Sequence, residues 1–330
     1  MRRTSALALT LLLIVVACGG AGSEADGPLI VYSGRGEELV ASLFESFTEE
    51  SGVEVEIRYG GSSEMAATLI AEGEETEADV FFAQDPASLG VVAEMMEPLS
   101  DDTLGLVDPK YRDRDGRWVG TSGRIRVVIY NTDAEIALPM DIDDLIDPQW
   151  AGQLGIAPTN ASFLAFVAAM ILERGEGPTN EWLEALAANQ PVDFESNAPI
   201  VEATDNGELE GGLVNHYYLL RLRAEGLGQH AENHFIPAGD VGSLVMPAGV
   251  GILSDTDKPE AAQQFVDFLL SDAAQTFFAT DTFEYPLVEG VDPPEGVPHL
   301  SEINSPDIDL SDLAGVLDLA TRLVAGAGLV

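Results

Sequence analysis

One cysteine, two lysines and four histidines in 330 residues remove several kinds of chemistry at the outset. With Cys18 alone, neither an intramolecular disulfide nor a cysteine-built zinc site can form. Positive charge is scarce: 15 lysines and arginines stand against 57 carboxylates, for a formal net charge of −42. A surface of that sign repels phosphate backbones, so nucleic acid is excluded as a partner. No nucleophile–base pair, glycine-rich phosphate loop or carboxylate dyad occurs in a persuasive setting, so the reading is not an enzyme. His230, His234 and His299 show no ligand spacing; His216 fits a supporting group behind a neighbouring site, but reads first as a helix-start residue exposed to water.

What is present begins with Arg2 and Arg3 ahead of an apolar run from Ala6 to Ala17. That run is short for a bilayer span and has the form of an export signal. Val15-Val16-Ala17-Cys18 resembles the bacterial lipobox, which implies that Cys18 is the lipid attachment site and first mature residue. Residues 1–17 are then a lipoprotein signal peptide and 18–27, rich in Gly, Ala, Ser and acid, a flexible tether. The expected product is extracytoplasmic and membrane-anchored. Roughly three hundred residues remain, more than one compact core usually holds and enough for two lobes. The excess acid is spread along the chain, which suits a solvated surface that concentrates cations.

Hydrophobic periodicity alternates between strand and helix. Leu29–Ser33 is a short apolar strand; Leu39, Val40, Leu43, Phe44 and Phe47 follow at helical spacing until Gly52; Val53, Val55, Ile57 and Tyr59 then alternate as a strand. A helix from Ser62 and a strand over 78–83 continue the order, which predicts a largely parallel sheet with helices on both faces. Ligands of such sheets sit at the carboxyl ends of strands. Those ends are residues 33–36, 60–63 and 83–85. A second lobe starts near Arg124, and 242–253 looks like a return crossing. The fold class is α/β, two lobes with an interlobe cleft and hinge: 28–123 with 250–300 form one lobe, 124–249 with 301–330 the other. The helix over 310–324 reads as a clasp.

The most informative segment is Gly211-Gly-Leu-Val-Asn-His-Tyr-Tyr-Leu-Leu220. A strand ending at Val214 and an N-cap at Asn215 put Tyr217 and Tyr218 in the first turn of a helix. Successive residues diverge there by only about 100°, so two phenols can converge on one ion, and the helix end favours the phenolate form. Ferric ion is small, hard and triply charged, and anionic oxygen suits it. A tyrosine pair also fits plain core filling, or aromatics that stack on an organic or anionic solute.

Beyond the pair, Leu29-Ile-Val-Tyr-Ser-Gly-Arg-Gly-Glu-Glu38, Ala78-Asp-Val-Phe-Phe-Ala-Gln-Asp85, Ser122-Gly-Arg-Ile-Arg-Val-Val-Ile-Tyr130, Asn215-His-Tyr-Tyr218 and Glu284-Tyr-Pro-Leu287 follow one another. In order and spacing these blocks resemble the bacterial ferric-ion-binding proteins of iron ABC transporters. The resemblance implies a type 2 periplasmic-binding-protein fold closing on Fe3+ and a synergistic anion, carbonate or bicarbonate. It implies Tyr217 and Tyr218 as metal ligands, with Tyr130 where a branch of the family places a third tyrosine. Some members supply a histidine and a glutamate at places that look like Gly36 and Gln84, so neither ligand is available. Arg124 is then the best holder of the anion, helped by Arg35, Ser33 and main-chain amides near Gly34. Ser62, Gln84, Asn160, Asn197 and Asn215 are candidates to bond the anion or water from cleft-facing loops, while Arg126 fits a pairing with surface acid. Expected partners are an ABC permease and ATPase, with the chain a monomer.

Overall fold

The computed structural model describes residues 27–330. The signal peptide, Cys18 and the tether up to Asp26 lie outside the described residues. The chain opens as β1 (Leu29–Ser33), α1 (Glu37–Ser51), β2 (Val55–Tyr59), α2 (Ser62–Glu72), β3 (Val80–Ala83), α3 (Pro86–Val91) and α4 (Asp101–Leu104). In α1, Val40, Leu43, Phe44 and Phe47 form one buried stripe, and Gly52 ends the helix in the left-handed region at φ 75°. β1 pairs in parallel with both β2 and β3. Parallel pairing sends the ends of β1, β2 and β3 to one rim, which is why residues 33–36, 60–63 and 83–85 meet.

The 13-residue β4 (Val119–Asn131) carries the chain out of this first sheet. Its first half pairs antiparallel with β9 (Val245–Ile252), which also flanks β3. Its second half pairs with β7 (Gly211–Asn215) and β8 (Ala231–His234). β7 in turn pairs with β5 (Leu154–Ile156), and β5 with β6 (Val192–Asp193). Around this second sheet pack α5 (Ala161–Arg174), α6 (Glu176–Ala188), α7 (Asn197–Asp205) and α8 (Tyr217–Ala224). α9 (Pro259–Leu269) returns to the first sheet, where Phe265 meets Phe44 and Phe47 at ring distances of 5.4 and 5.1 Å. α10 (Asp272–Thr280) and the short β10 (Tyr285–Pro286) follow, and β10 adds to β4 at Gly123 and Ser122.

The break expected between 123 and 124 therefore falls inside β4, and the return strand starts at Val245, ahead of residue 250. The final helix, α11 (Leu313–Gly326), packs on α5 of the second half and on α3 of the first. A Cβ on Gly90 of α3 would sit 2.9 Å from Ala314 Cβ, so the two backbones approach as only a small residue permits. The segment 301–330 thus bridges both halves instead of belonging to the second. Among the described residues no helix is long and apolar enough to cross a membrane.

Candidate functional site: an arginine-floored cleft beside a tyrosine pair

A cavity of about 160 Å³ lies between the two half-sheets. The first half supplies Gly34, Ser62, Gln84 and Asp85; the second supplies Asn160, Ser162, Phe166, Asn215 and Tyr218; β4 supplies Arg124 and Arg126. Alternation along β4 puts residues 124 and 126 on one face, which aims both guanidiniums the same way. Arg126 is clamped from behind, donating to Asn197 Oδ1 at 3.2 Å and to Ser162 Oγ at 3.2 Å. Arg124 donates through Nη2 to the Gln84 carbonyl. Its Nη1 is buried without a hydrogen-bond partner among the described residues. Burial lowers the pKa of both, Arg126 to about 10, so Arg126 stays charged at neutral pH. Two buried guanidiniums, one with an unpartnered donor, have the charge and fork geometry that can pair with an oxyanion.

The tyrosines stand at the start of α8. Their rings stack with centroids 4.3 Å apart and 26° between planes. Tyr217 is buried, Tyr218 half-buried and lining the cavity. Burial raises the Tyr217 pKa well above the ordinary phenol, the charge of Tyr218 adds to that, and Arg124 opposes it. An isolated phenolate is therefore disfavoured here, whereas a bound cation supplies the charge that would stabilise it.

Several sequence expectations change. Tyr130 does not join the pair: it is registered with Gly211 at the far end of β7, whereas Arg126 is registered with Asn215. Four residues of strand separate those rungs, or about 14 Å. Arg35 does not face the cavity, because its guanidinium is spent on Glu284 at 2.7 Å and Ser122 at 3.1 Å. Ser33 Oγ turns back to the Arg35 main chain, accepting from its amide at 3.2 Å. Gly34 lines the cavity, but its N–H donates to the Phe82 carbonyl at 2.8 Å. A Cβ there would lie 2.7 Å from Ser62 Cα, so glycine is what lets the two loops close together. Ser62 accepts from the Gln84 amide at 2.9 Å and ties the rim of β3 to α2. Asn160 caps α5 by accepting from the Ser162 amide at 3.0 Å. Asn197 sits behind Arg126, and Asn215 ends β7 instead of capping α8, whose N-cap is His216.

His216 is fully buried, not water-exposed. Its Nδ1 accepts from the Ile125 amide at 3.3 Å, which leaves the proton on Nε2. Burial pulls its pKa down from 6.5 to about 4, against the pull of Glu284. As pH falls below 6.5 the unfolded chain takes up this proton first, so stability present above 6.5 is lost between 6.5 and 4. The loss amounts to about 3 kcal/mol. Urea midpoints measured across that window should flatten by this amount in His216→Asn.

Sequence reasoning missed Arg126 as a cleft residue and gave Glu284 no role. The alternation of Arg124, Ile125 and Arg126 in a strand was a usable signal for the first. Glu284 had none, because its partners lie 249 and 162 residues away in the chain.

Residues 70–309 match the model of a family described as bacterial extracellular solute-binding protein. The chain is 31% identical over 322 residues to the Fe(3+)-binding periplasmic protein of Serratia marcescens, covering 94% of each. It is 29% identical to the major ferric iron-binding protein of Neisseria meningitidis serogroup B, covering 94% of this chain and 95% of that one. The crystal structure of iron-bound HitA from Pseudomonas aeruginosa superposes with a TM-score of 0.85 at 31% identity, covering 91% of this chain and 99% of that one. The two-lobed α/β architecture, with its cleft floored by β4, is thus that of these periplasmic proteins, and the chain belongs to the bacterial extracellular solute-binding family, among relatives of its ferric-iron-binding members.

Proposed function

We propose that this protein captures ferric iron outside the cytoplasm for import. Tyr217 and Tyr218 bind the metal as phenolates and an oxyanion, carbonate in the first instance, completes the shell. The observation that carries this reading is the stacked phenol pair at 4.3 Å, beside a cavity floored by Arg124 and Arg126. Iron would displace both phenolic protons, since bound metal inverts the usual titration order. The anion would take the open Nη1 of Arg124 and the side of Arg126, with Ser162 and Asn215 in reach of the same cavity. Both halves contribute to the cavity, so ligand would favour the closed arrangement over the open one.

Closed protein would pass its iron to an ABC permease driven by an ATPase, the chain acting as a monomer held to the membrane through a lipid on Cys18. Gln84 lines the cavity where some relatives are expected to place a glutamate ligand, which leaves more of the shell to the exogenous anion. One observation favours a second reading: Phe166, Leu244 and Met246 give the cavity an apolar wall that would suit an organic anion such as a phosphonate. Metal analysis separates the two. Protein incubated with ferric citrate and bicarbonate and then desalted should retain one iron per chain. Retention of none, with a rise in melting temperature on adding 2-aminoethylphosphonate, would establish the second reading instead.

A further inference from the structure

Glu284 is a buried carboxylate that does not line the cavity, and its bonding is lopsided. Its Oε2 accepts from Arg35 at 2.7 Å, Ser122 at 2.9 Å and Thr282 at 3.1 Å. Its Oε1 faces Arg124 Nη1 at 3.8 Å, an ion pair beyond hydrogen-bond range. Arg124 lines the cleft, and its Nη1 is buried without a hydrogen-bond partner among the described residues. The backbone supports this placement: Phe283, with φ 58°, occupies the left-handed region that non-glycine residues rarely adopt, immediately before Glu284 and the β10 pairing with β4. Two arginines therefore share one carboxylate unequally. Arg35 is bound to it and stacked against Phe82 and Phe278, at 5.6 and 5.9 Å from their centroids. Arg124 is attracted to it without being bonded.

We propose that Glu284 is a positioning residue for the oxyanion subsite, acting through Arg124: its carboxylate competes with the incoming anion for Nη1 and so sets how tightly the anion is held. The inference rests on the oxyanion reading of the cleft. In the empty cleft Glu284 holds the guanidinium oriented, and Arg35, Ser122 and Thr282 hold Glu284 charged and in place. An arriving oxyanion gains a hydrogen bond that Glu284 cannot make at its distance, and Glu284 then offsets part of the guanidinium charge that holds the anion. Release is easier than it would be from an unopposed buried guanidinium. A cargo protein that must hand over its load has use for such a counterweight.

Two variants test this. Glu284→Gln removes the competing charge. Glu284→Asp keeps the charge for Arg35 while drawing it one methylene away from Arg124, and guards against a folding failure of the first. Bicarbonate and inorganic phosphate serve as probes, titrated by calorimetry into iron-free protein and by visible absorbance into iron-loaded protein. Either variant should bind the anion about tenfold more tightly than the native protein, and should release iron more slowly on dilution into chelator. A purely structural Glu284 would lower the melting temperature and leave the anion affinity unchanged or weaker, and that result overturns the proposal. If the native protein binds neither anion, with or without iron, the oxyanion reading itself fails and this inference with it. Anion binding to the native protein with no gain in the variants sinks the inference alone.

Discussion

Tyr218→Phe is expected to weaken ferric iron binding by about three orders of magnitude, or roughly 4 kcal/mol, while leaving the fold intact. The substitution removes one oxygen and keeps the ring that stacks on Tyr217. Tyr218 is half-buried and lines the cavity, and the side chain its hydroxyl bonds is its neighbour Tyr217, so the loss stays local to the pair. On the proposed reading, what disappears is a negative ligand for a trivalent cation, and neither water nor Gln84 can replace that charge. Tyr130→Phe is the matched control. It deletes the same atom from a tyrosine about 14 Å of strand away from the Arg126 rung, and its iron affinity should equal that of the native protein. Competition against a chelator of known strength measures both, and equal losses in the two variants would contradict the assignment.

The second large effect is acid sensitivity. A phenol ordinarily ionises near pH 10, and burial together with Tyr218 lifts Tyr217 further. Tyr217 is therefore protonated throughout the neutral and acidic range in the iron-free protein, and on the proposed reading iron displaces one proton from each phenol it binds. By linkage the binding constant then falls about a hundredfold for every pH unit of acidification, or about four orders of magnitude from pH 7.5 to 5.5. Neither side chain beside the pair adds to the slope in that window: Arg126, lowered only to about 10, keeps its charge, and His216, at about 4, stays neutral; bicarbonate that binds as carbonate gives up a proton of its own and steepens it. Chelator competition at several pH values gives the slope directly. A tenfold change per unit would mean that a single phenolate ligates.

What could be read from residues alone divides along a physical line. Periodicity reported α1 well because Val40, Leu43, Phe44 and Phe47 share one stripe, and a helix with one buried face writes that stripe into its sequence. The rim of the first sheet was legible because parallel pairing puts successive strand ends together. The tyrosine pair was legible because its two members are adjacent, so no tertiary knowledge was needed to bring them near each other. Long-range partners were not legible. Arg35 looked like an anion holder at a strand end until Glu284, 249 residues on, claimed its guanidinium. Gly34 looked like a free amide until β3 took its N–H. Tyr130 has the same strand parity as Arg124 and Arg126, which made it look eligible, but parity says nothing about distance along the strand. His216 sits next to polar and aromatic residues in sequence, and its burial depends on Ile125 and on Tyr285, whose ring lies 4.9 Å away.

The same line explains why charge composition was a poor guide to the cleft. A chain with net charge −42 places two of its scarce arginines, 124 and 126, on one face of a buried strand at the floor of the cavity. Burying a guanidinium costs several kcal/mol unless something compensates for it. Glu284 compensates for Arg124 in part, and Asn197 and Ser162 satisfy Arg126. The remainder is the reason to expect an anion in the cleft together with the metal.

Visible absorption on adding iron tests the central claim most directly, because phenolate bound to ferric ion absorbs where the free components do not. Purified protein titrated with ferric citrate in the presence of bicarbonate should develop a tyrosinate-to-iron charge-transfer band that saturates at one equivalent and is absent in Tyr218→Phe. A solution that stays colourless through the titration, or a band that survives unchanged in that variant, would contradict it.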